Sequence, residues 1–103
     1  MNPSEAYRQT VSDVRPNVRF DGWLLVKEAR VRASSNGKQF LDAALVDRTG
    51  TVPAKVWDWS GDPPAAGTVV RVRGAGNEYN GHLQLRVESM VPARPEDGPT
   101  LPL

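Results

Sequence analysis

Residues 36–59 read NGKQFLDAALVDRTGTVPAKVWDW, two runs of alternating apolar and polar side chains joined by a short turn. Strict alternation over such runs is typical of strands with one buried face. The alternation places Phe40, Lys55 and Trp57 together on the outward face of the predicted hairpin. The side chains predicted to face inward are Leu41, Ala43, Leu45, Val52, Ala54 and Val56. Two large rings and a lysine on an outward face require an explanation.

Three further segments have the composition of strands. VRFDGWLLVKEARVRA, residues 18–33, is long and contains Gly22, which predicts a bulge or a sharp bend. Ser-Ser-Asn-Gly connects it to the hairpin as a turn. TVVRVRGAG (residues 68–76) and NEYNGHLQLRVESMV (residues 77–91) form a last hairpin. WSGDPPAAG, between the two hairpins, is too short and too broken to form a helix.

Five strands in this order predict an all-β fold, a five-stranded Greek-key OB-fold barrel. A short loop or a single turn replaces the helix that usually connects strands 3 and 4. An SH3-like barrel is the alternative with a similar number of strands. We expect residues 1–16 to be an N-terminal extension with a possible short helix, 17–92 the OB-fold domain, and 93–103 a proline-rich tail or linker.

The composition narrows the classes of function. The chain has 103 residues, 13 Lys and Arg against 12 Asp and Glu, one His and no Cys. A net charge of +1 means that any polyanion site must come from the placement of cations. Disulfides, thiolate metal sites and a cysteine nucleophile are excluded. No secretory signal or membrane-spanning run is visible, so a cytoplasmic location is expected.

Several segments resemble the OB-fold domain at the N-terminus of YhaM-like 3′-to-5′ exoribonucleases. These are GWLLVK, NGKQFLD, DRTGTVPAKVWD, GTVVRVRG and YNGHLQLRV, which lie in the same order within residues 18–92. The resemblance implies an OB-fold that binds RNA or DNA. In the family the catalytic domain is a separate metal-dependent domain of the HD type, whose histidines this chain lacks. We therefore predict no catalytic residue, no metal site and no cofactor in this chain. The chain is expected to be either a standalone module or part of a larger nuclease.

Single-stranded nucleic acid is bound by rings that stack on bases and cations that follow the phosphates. On an OB-fold the nucleic acid is bound by the outer face of strands 2 and 3 and by the neighbouring loops. This predicts that Phe40 and Trp57 stack on bases and that Lys55 contacts phosphates. Trp23 is a further candidate, on the same face or capping the barrel end. The remaining candidates are Arg30, Arg32 and Lys38 beside the first turn, and Tyr79, His82, Gln84 and Arg86 in the last hairpin.

Each candidate also has a structural interpretation. For Phe40 and Trp57 this is packing in the core or across the strands, and a slip of one residue in register would turn both rings inward. Trp59 is expected to plug the barrel end, and the alternating Arg71 and Arg73 are typical of a solvated strand face. Asp42 shares the predicted binding face and would repel phosphate. The carboxylates have no spacing that predicts a metal site.

The predicted function is single-stranded RNA or DNA binding with little sequence specificity. The alternative is a protein-interaction or assembly module, because OB barrels also bind peptides along exposed edges. A remnant enzyme is disfavoured by the single His. The predicted partners are single-stranded nucleic acid and either a protein or a linked nuclease domain, with no membrane. The sequence does not indicate which oligomeric state the protein adopts.

Overall fold

The structure is a computed structural model and describes residues 9–92. Five strands account for most of this part of the chain. A single turn of 3-10 helix, Val11–Asp13, precedes them. The strands are β1 (Arg19–Ala33), β2 (Gln39–Asp47), β3 (Gly50–Trp57), β4 (Val69–Tyr79) and β5 (His82–Pro92).

The strands close into a barrel in the order β1-β2-β3-β5-β4. Neighbouring strands are antiparallel except β3 and β5, which run parallel and pair over three residue pairs only. The predicted five-stranded barrel is therefore confirmed. Residues 58–68, between β3 and β4, contain no helix, as the sequence predicted.

The long first strand, β1, pairs with two neighbouring strands. Its first half pairs with β4 and its second half with β2, and Leu25 is common to both ladders. The predicted bulge at Gly22 is wrong, because Gly22 lies in a regular part of the β1–β4 ladder. The irregularity in β1 falls between Val26 and Glu28. Gly22 instead allows the backbone of Gln9 to approach, and a Cβ there would overlap the Gln9 carbonyl oxygen.

Alternation along the strands builds the core. The largest fully buried side chains are Val14, Phe20, Leu24, Val26, Leu41, Leu45, Val70, Val72 and Leu85. The predicted inward register of β2 and β3 is confirmed, since all six of their predicted inward residues are buried. Because successive side chains of a strand point to opposite faces, the intervening residues must face outward.

Residues 9–16 pack against the barrel although they precede β1. Val14, which the predicted boundary between 16 and 17 separates from the barrel, lies in the core with 2% of its surface exposed. The Asp47 carboxylate accepts a hydrogen bond from the Val11 N–H at 2.9 Å. The same carboxylate accepts bonds from the N–H and hydroxyl of Thr49, at 2.7 and 2.6 Å. The Asp-Arg-Thr-Gly turn thus anchors the N-terminal segment.

Other terminal predictions fall largely outside the described residues. The possible N-terminal helix overlaps them only at its end, where Val11–Asp13 is 3-10 helix. The predicted tail, 93–103, lies outside them.

In the connection after β3, Trp59 packs against the core, as its structural interpretation expected. Within residues 9–92 no helix is long and apolar enough to cross a bilayer.

Candidate nucleic-acid interface

The predicted aromatic and basic residues of β2 and β3 lie together on the outside of the barrel. Phe40 is directly opposite Trp57, and Asp42 is directly opposite Lys55. This is the register that the alternation predicted. Because β2 and β3 are joined by one tight turn, the hairpin holds these four side chains at neighbouring positions.

Phe40 and Trp57 form an aromatic pair across the two strands. Their ring centroids are 4.7 Å apart and the ring planes are inclined by 38°. This is the cross-strand packing that the structural interpretation expected, and it fixes the positions of both rings. It does not bury them, since 44% of Trp57 remains exposed and Phe40 is half-buried. The pair therefore presents a fixed aromatic surface to solvent.

Lys55 links this aromatic pair to the last hairpin. Its Nζ atom lies 5.7 Å from the centroid of Phe40 and 5.8 Å from the centroid of Tyr79. Both distances fit cation–π contacts. Tyr79, at the end of β4, is 61% exposed. The ammonium group thus lies between two exposed aromatic surfaces.

A cleft opens beside Lys55, with a volume of about 340 Å³. It is lined by Lys55, Trp57, Asn77, Tyr79, Gln84 and Arg86. Five of these were predicted as nucleic-acid contacts from the sequence. Asn77 was missed, although it precedes Tyr79 by two residues and so shares its strand face. That spacing was the signal that would have found it.

The second half of β1 extends the surface on the other side of β2. Arg32 lies opposite Phe40, and Arg30 lies opposite Asp42. Arg32 Nε is 2.9 Å from the Asp42 carboxylate. Lys38 is exposed in the turn between β1 and β2, where its carbonyl accepts a hydrogen bond from the Ser34 N–H at 2.8 Å. The three predicted cations of this rim therefore border the aromatic pair.

Two predicted residues lie apart from this cluster. Trp23 is on the β1–β4 side of the barrel, with the Arg71 guanidinium 5.9 Å from its ring. The structure does not bring it to Phe40 and Trp57. His82 is exposed at the start of β5, opposite Tyr79, and does not line the cleft. Within residues 9–92 no three histidine or carboxylate side chains are grouped so that they could hold a metal ion.

Ion pairing differs between the two sides of the barrel. On the β1–β4 side, Arg71 and Arg73 both pair with Asp21, at 3.1 and 3.4 Å, and Arg19 pairs with Glu88 at 2.9 Å. On the aromatic side, Arg32 is the one predicted cation that pairs with a carboxylate of the part of the chain that the structure describes. Among the described residues, no carboxylate pairs with the remaining predicted cations, which are Arg30, Lys38, Lys55 and Arg86. Unpaired positive charge therefore coincides with the exposed rings.

Two solved structures have the same architecture. One is the second OB-fold domain of replication protein A from Methanococcus maripaludis, with a TM-score of 0.66 and 19% identity. The other is a domain of replication protein A from the same organism, with a TM-score of 0.69 and 21% identity. Each match covers 82% of this chain and 93% of that chain. The barrel is an OB-fold. The prediction of an OB-fold rather than an SH3-like barrel is confirmed.

The OB-fold of this chain also has relatives in sequence. It is 40% identical over 81 residues to the 3′-5′ exoribonuclease YhaM of Shouchella clausii, and 37% identical over 81 residues to that of Oceanobacillus iheyensis. The resemblance to YhaM-like nucleases is thereby confirmed. The matches cover 76% of this chain, and the chain spans about a quarter of the relatives' length. No protein-family model matches the chain.

Proposed function

We propose that this OB-fold binds single-stranded RNA or DNA across the outer face of β1, β2, β3 and the β4–β5 hairpin. The observation that carries the proposal is the coincidence of exposed rings with cations that have no acidic partner within residues 9–92. Trp57 is 44% exposed and Tyr79 61%, and Lys55 lies between the rings of Phe40 and Tyr79. A ring that is wet in the free protein gains contact area when a base stacks on it.

The charge pattern supports a path for the phosphates along the same surface. Arg71 and Arg73 share the carboxylate of Asp21, which offsets one of their two positive charges within the protein. Arg30, Lys38, Lys55 and Arg86 have no such partner among the described residues, and a phosphate chain would supply one. Because phosphate contacts and stacking both tolerate any base, the main surface binds with little sequence preference.

The module is not expected to catalyse a reaction by itself. The sequence relatives are named 3′-5′ exoribonucleases, and their match to this chain covers only about a quarter of their length. In a protein where a nuclease domain is joined to this barrel, binding here would raise the effective concentration of the strand at that domain. A protein-interaction module remains the alternative function.

Tryptophan fluorescence tests the proposal directly. Unstructured oligo-U and oligo-dT are titrated into the protein at low and at high salt. We expect saturable quenching that weakens as salt increases, because Trp57 stacks on bases and phosphates displace counterions. The oligo-U to oligo-dT ratio shows which strand is preferred. A flat signal at tens of micromolar protein, together with no shift on a gel, refutes the proposal and leaves the protein-interaction module.

A further inference from the structure

The cleft beside Lys55 differs from the open aromatic surface because it contains two carboxamides. Asn77 on β4 and Gln84 on β5 are direct partners across the strand pair, and both line the cleft. Both residues are only partly exposed. Among the described residues neither amide has a hydrogen-bond partner, which leaves donors and acceptors available to a ligand.

The other walls of the cleft suit one nucleotide of a strand. Trp57 and Tyr79 provide aromatic surface, and Lys55 and Arg86, neighbours across β3 and β5, provide positive charge. The volume of about 340 Å³ is at the small end for ligand sites. A flat base between the rings would direct its polar edge to the amides and its phosphate to the cations.

The geometry points to a base-reading subsite for adenine, formed by Asn77 and Gln84 within the proposed nucleic-acid interface. Adenine presents an N6 donor beside an N7 acceptor, which a carboxamide matches with two hydrogen bonds. In a single strand the Watson–Crick edge is open as well, and there uracil, cytosine and guanine each offer a donor beside an acceptor to one carboxamide. Adenine alone has an acceptor on both sides of one amino group, N1 and N7 beside N6, so Asn77 and Gln84 can each form two hydrogen bonds with it. The inference rests on the proposed function and adds one selective position to a surface that is otherwise tolerant of sequence.

Oligo-U strands with a single central substitution test the subsite. Affinities are compared for strands with a central A, G, C or U, by anisotropy of a terminal label. We expect the strand with A to bind about fivefold more tightly or better, the lower end of the discrimination by a bidentate contact. Equal affinity for all four strands overturns the subsite but leaves the proposed function intact. No binding of any strand overturns both.

Variants connect the preference to the two amides. Gln84→Glu keeps the shape of the side chain but replaces the amide donor with a charged acceptor, and Asn77→Ala removes the other amide. We expect either variant to reduce the preference for A to less than twofold, while Gln39→Ala, an exposed glutamine on β2 outside the cleft, keeps it. A preference that persists in Asn77→Ala and Gln84→Glu overturns the inference. A preference for G that is lost in Arg86→Ala also overturns the inference.

A free nucleotide could satisfy the same amides, and AMP distinguishes the two sources of adenine. We expect AMP to compete with labelled strand only at concentrations at least a hundredfold above those of an unlabelled strand carrying one A, because the strand also contacts the surface of β2 and β3. Competition at equal concentrations would assign the cleft to a free nucleotide and overturn the inference. Circular dichroism and thermal melts verify that each variant is folded.

Discussion

Asp42 on β2 and Arg32 on β1 form an ion pair, with 2.9 Å between Arg32 Nε and the carboxylate, in the middle of the proposed interface. Asp42 is also the direct strand partner of both Arg30 and Lys55. One carboxylate therefore offsets positive charge where a phosphate chain is expected to lie. Asp42 therefore limits the affinity of the surface for nucleic acid, because its charge repels phosphate and because it forms an ion pair with Arg32, which is then less available to a phosphate.

Asp42→Asn is expected to strengthen binding to oligo-U several-fold at low salt, because it removes the repulsion and frees Arg32 for phosphate. Anisotropy of labelled strand measures the change. Asp62→Asn is the matched control, since Asp62 is an exposed carboxylate in the connection between β3 and β4 and the change in net charge is the same. An equal gain in both variants would show that only the overall charge matters.

Trp57→Ala is expected to weaken binding by roughly 5-fold to 150-fold, which corresponds to the loss of about 1–3 kcal/mol of stacking on one base. Arg71→Ala, on the β1–β4 side, is expected to have a smaller effect. Trp23→Ala tests the other tryptophan, and we expect little change because it lies apart from Phe40 and Trp57. If Trp23→Ala weakened binding more than Trp57→Ala, the strand would follow the β1–β4 side instead.

The slope of affinity against salt concentration is expected to report contacts of phosphates with Arg30, Lys38, Lys55 and Arg86, the four cations of the interface without a carboxylate partner among residues 9–92. Each phosphate contact contributes about −0.7 to the slope of log K against log salt for a single strand, so four contacts give about −3. Arg86→Gln should make the slope shallower by about one contact. Arg73→Gln, whose guanidinium pairs with Asp21, should leave it unchanged. Equal changes in the two variants would argue against a directed phosphate path.

Asp47→Ala is expected to lower the free energy of unfolding by about 2 kcal/mol, because the N–H groups of Val11 and Thr49 lose the acceptor of their part-buried hydrogen bonds. Urea denaturation followed by tryptophan fluorescence measures the loss. Asp62→Ala, an exposed position, should cost little. Binding to oligo-U by the folded Asp47→Ala protein should be unchanged, since Asp47 lies outside the cleft. A loss of binding without a loss of stability would contradict an anchoring role.

Local patterns were sufficient to predict the β2–β3 part of the site. Side chains alternate with a period of two and the Asp-Arg-Thr-Gly turn sets the register, so Phe40 and Trp57 had to be opposite each other. The contact of Lys55 with Tyr79 depends on the parallel pairing of β3 with β5, which joins segments distant in sequence. No local pattern encodes that pairing.

Two features at the start of the chain have the same origin. Gly22 was expected to mark a bulge or a sharp bend, but it lies in a regular ladder and makes room for Gln9, and Val14 fills the core from a segment that resembles a polar extension. Both roles depend on where residues 9–16 pack, which is decided by tertiary contacts such as the bond from Val11 to Asp47. Composition alone does not contain this information.

The ladder between β3 and β5 is the shortest of the five and closes the barrel beside the cleft, as a seam of three residue pairs between the β2–β3 hairpin and the β4–β5 hairpin. Lys55 and Arg86 lie on either side of this seam. Short ladders open first in native-state fluctuations, so the seam should exchange its amide hydrogens before the rest of the sheet. A strand that touches both residues would hold the seam closed, and by linkage the melting temperature of the barrel would then rise with ligand concentration.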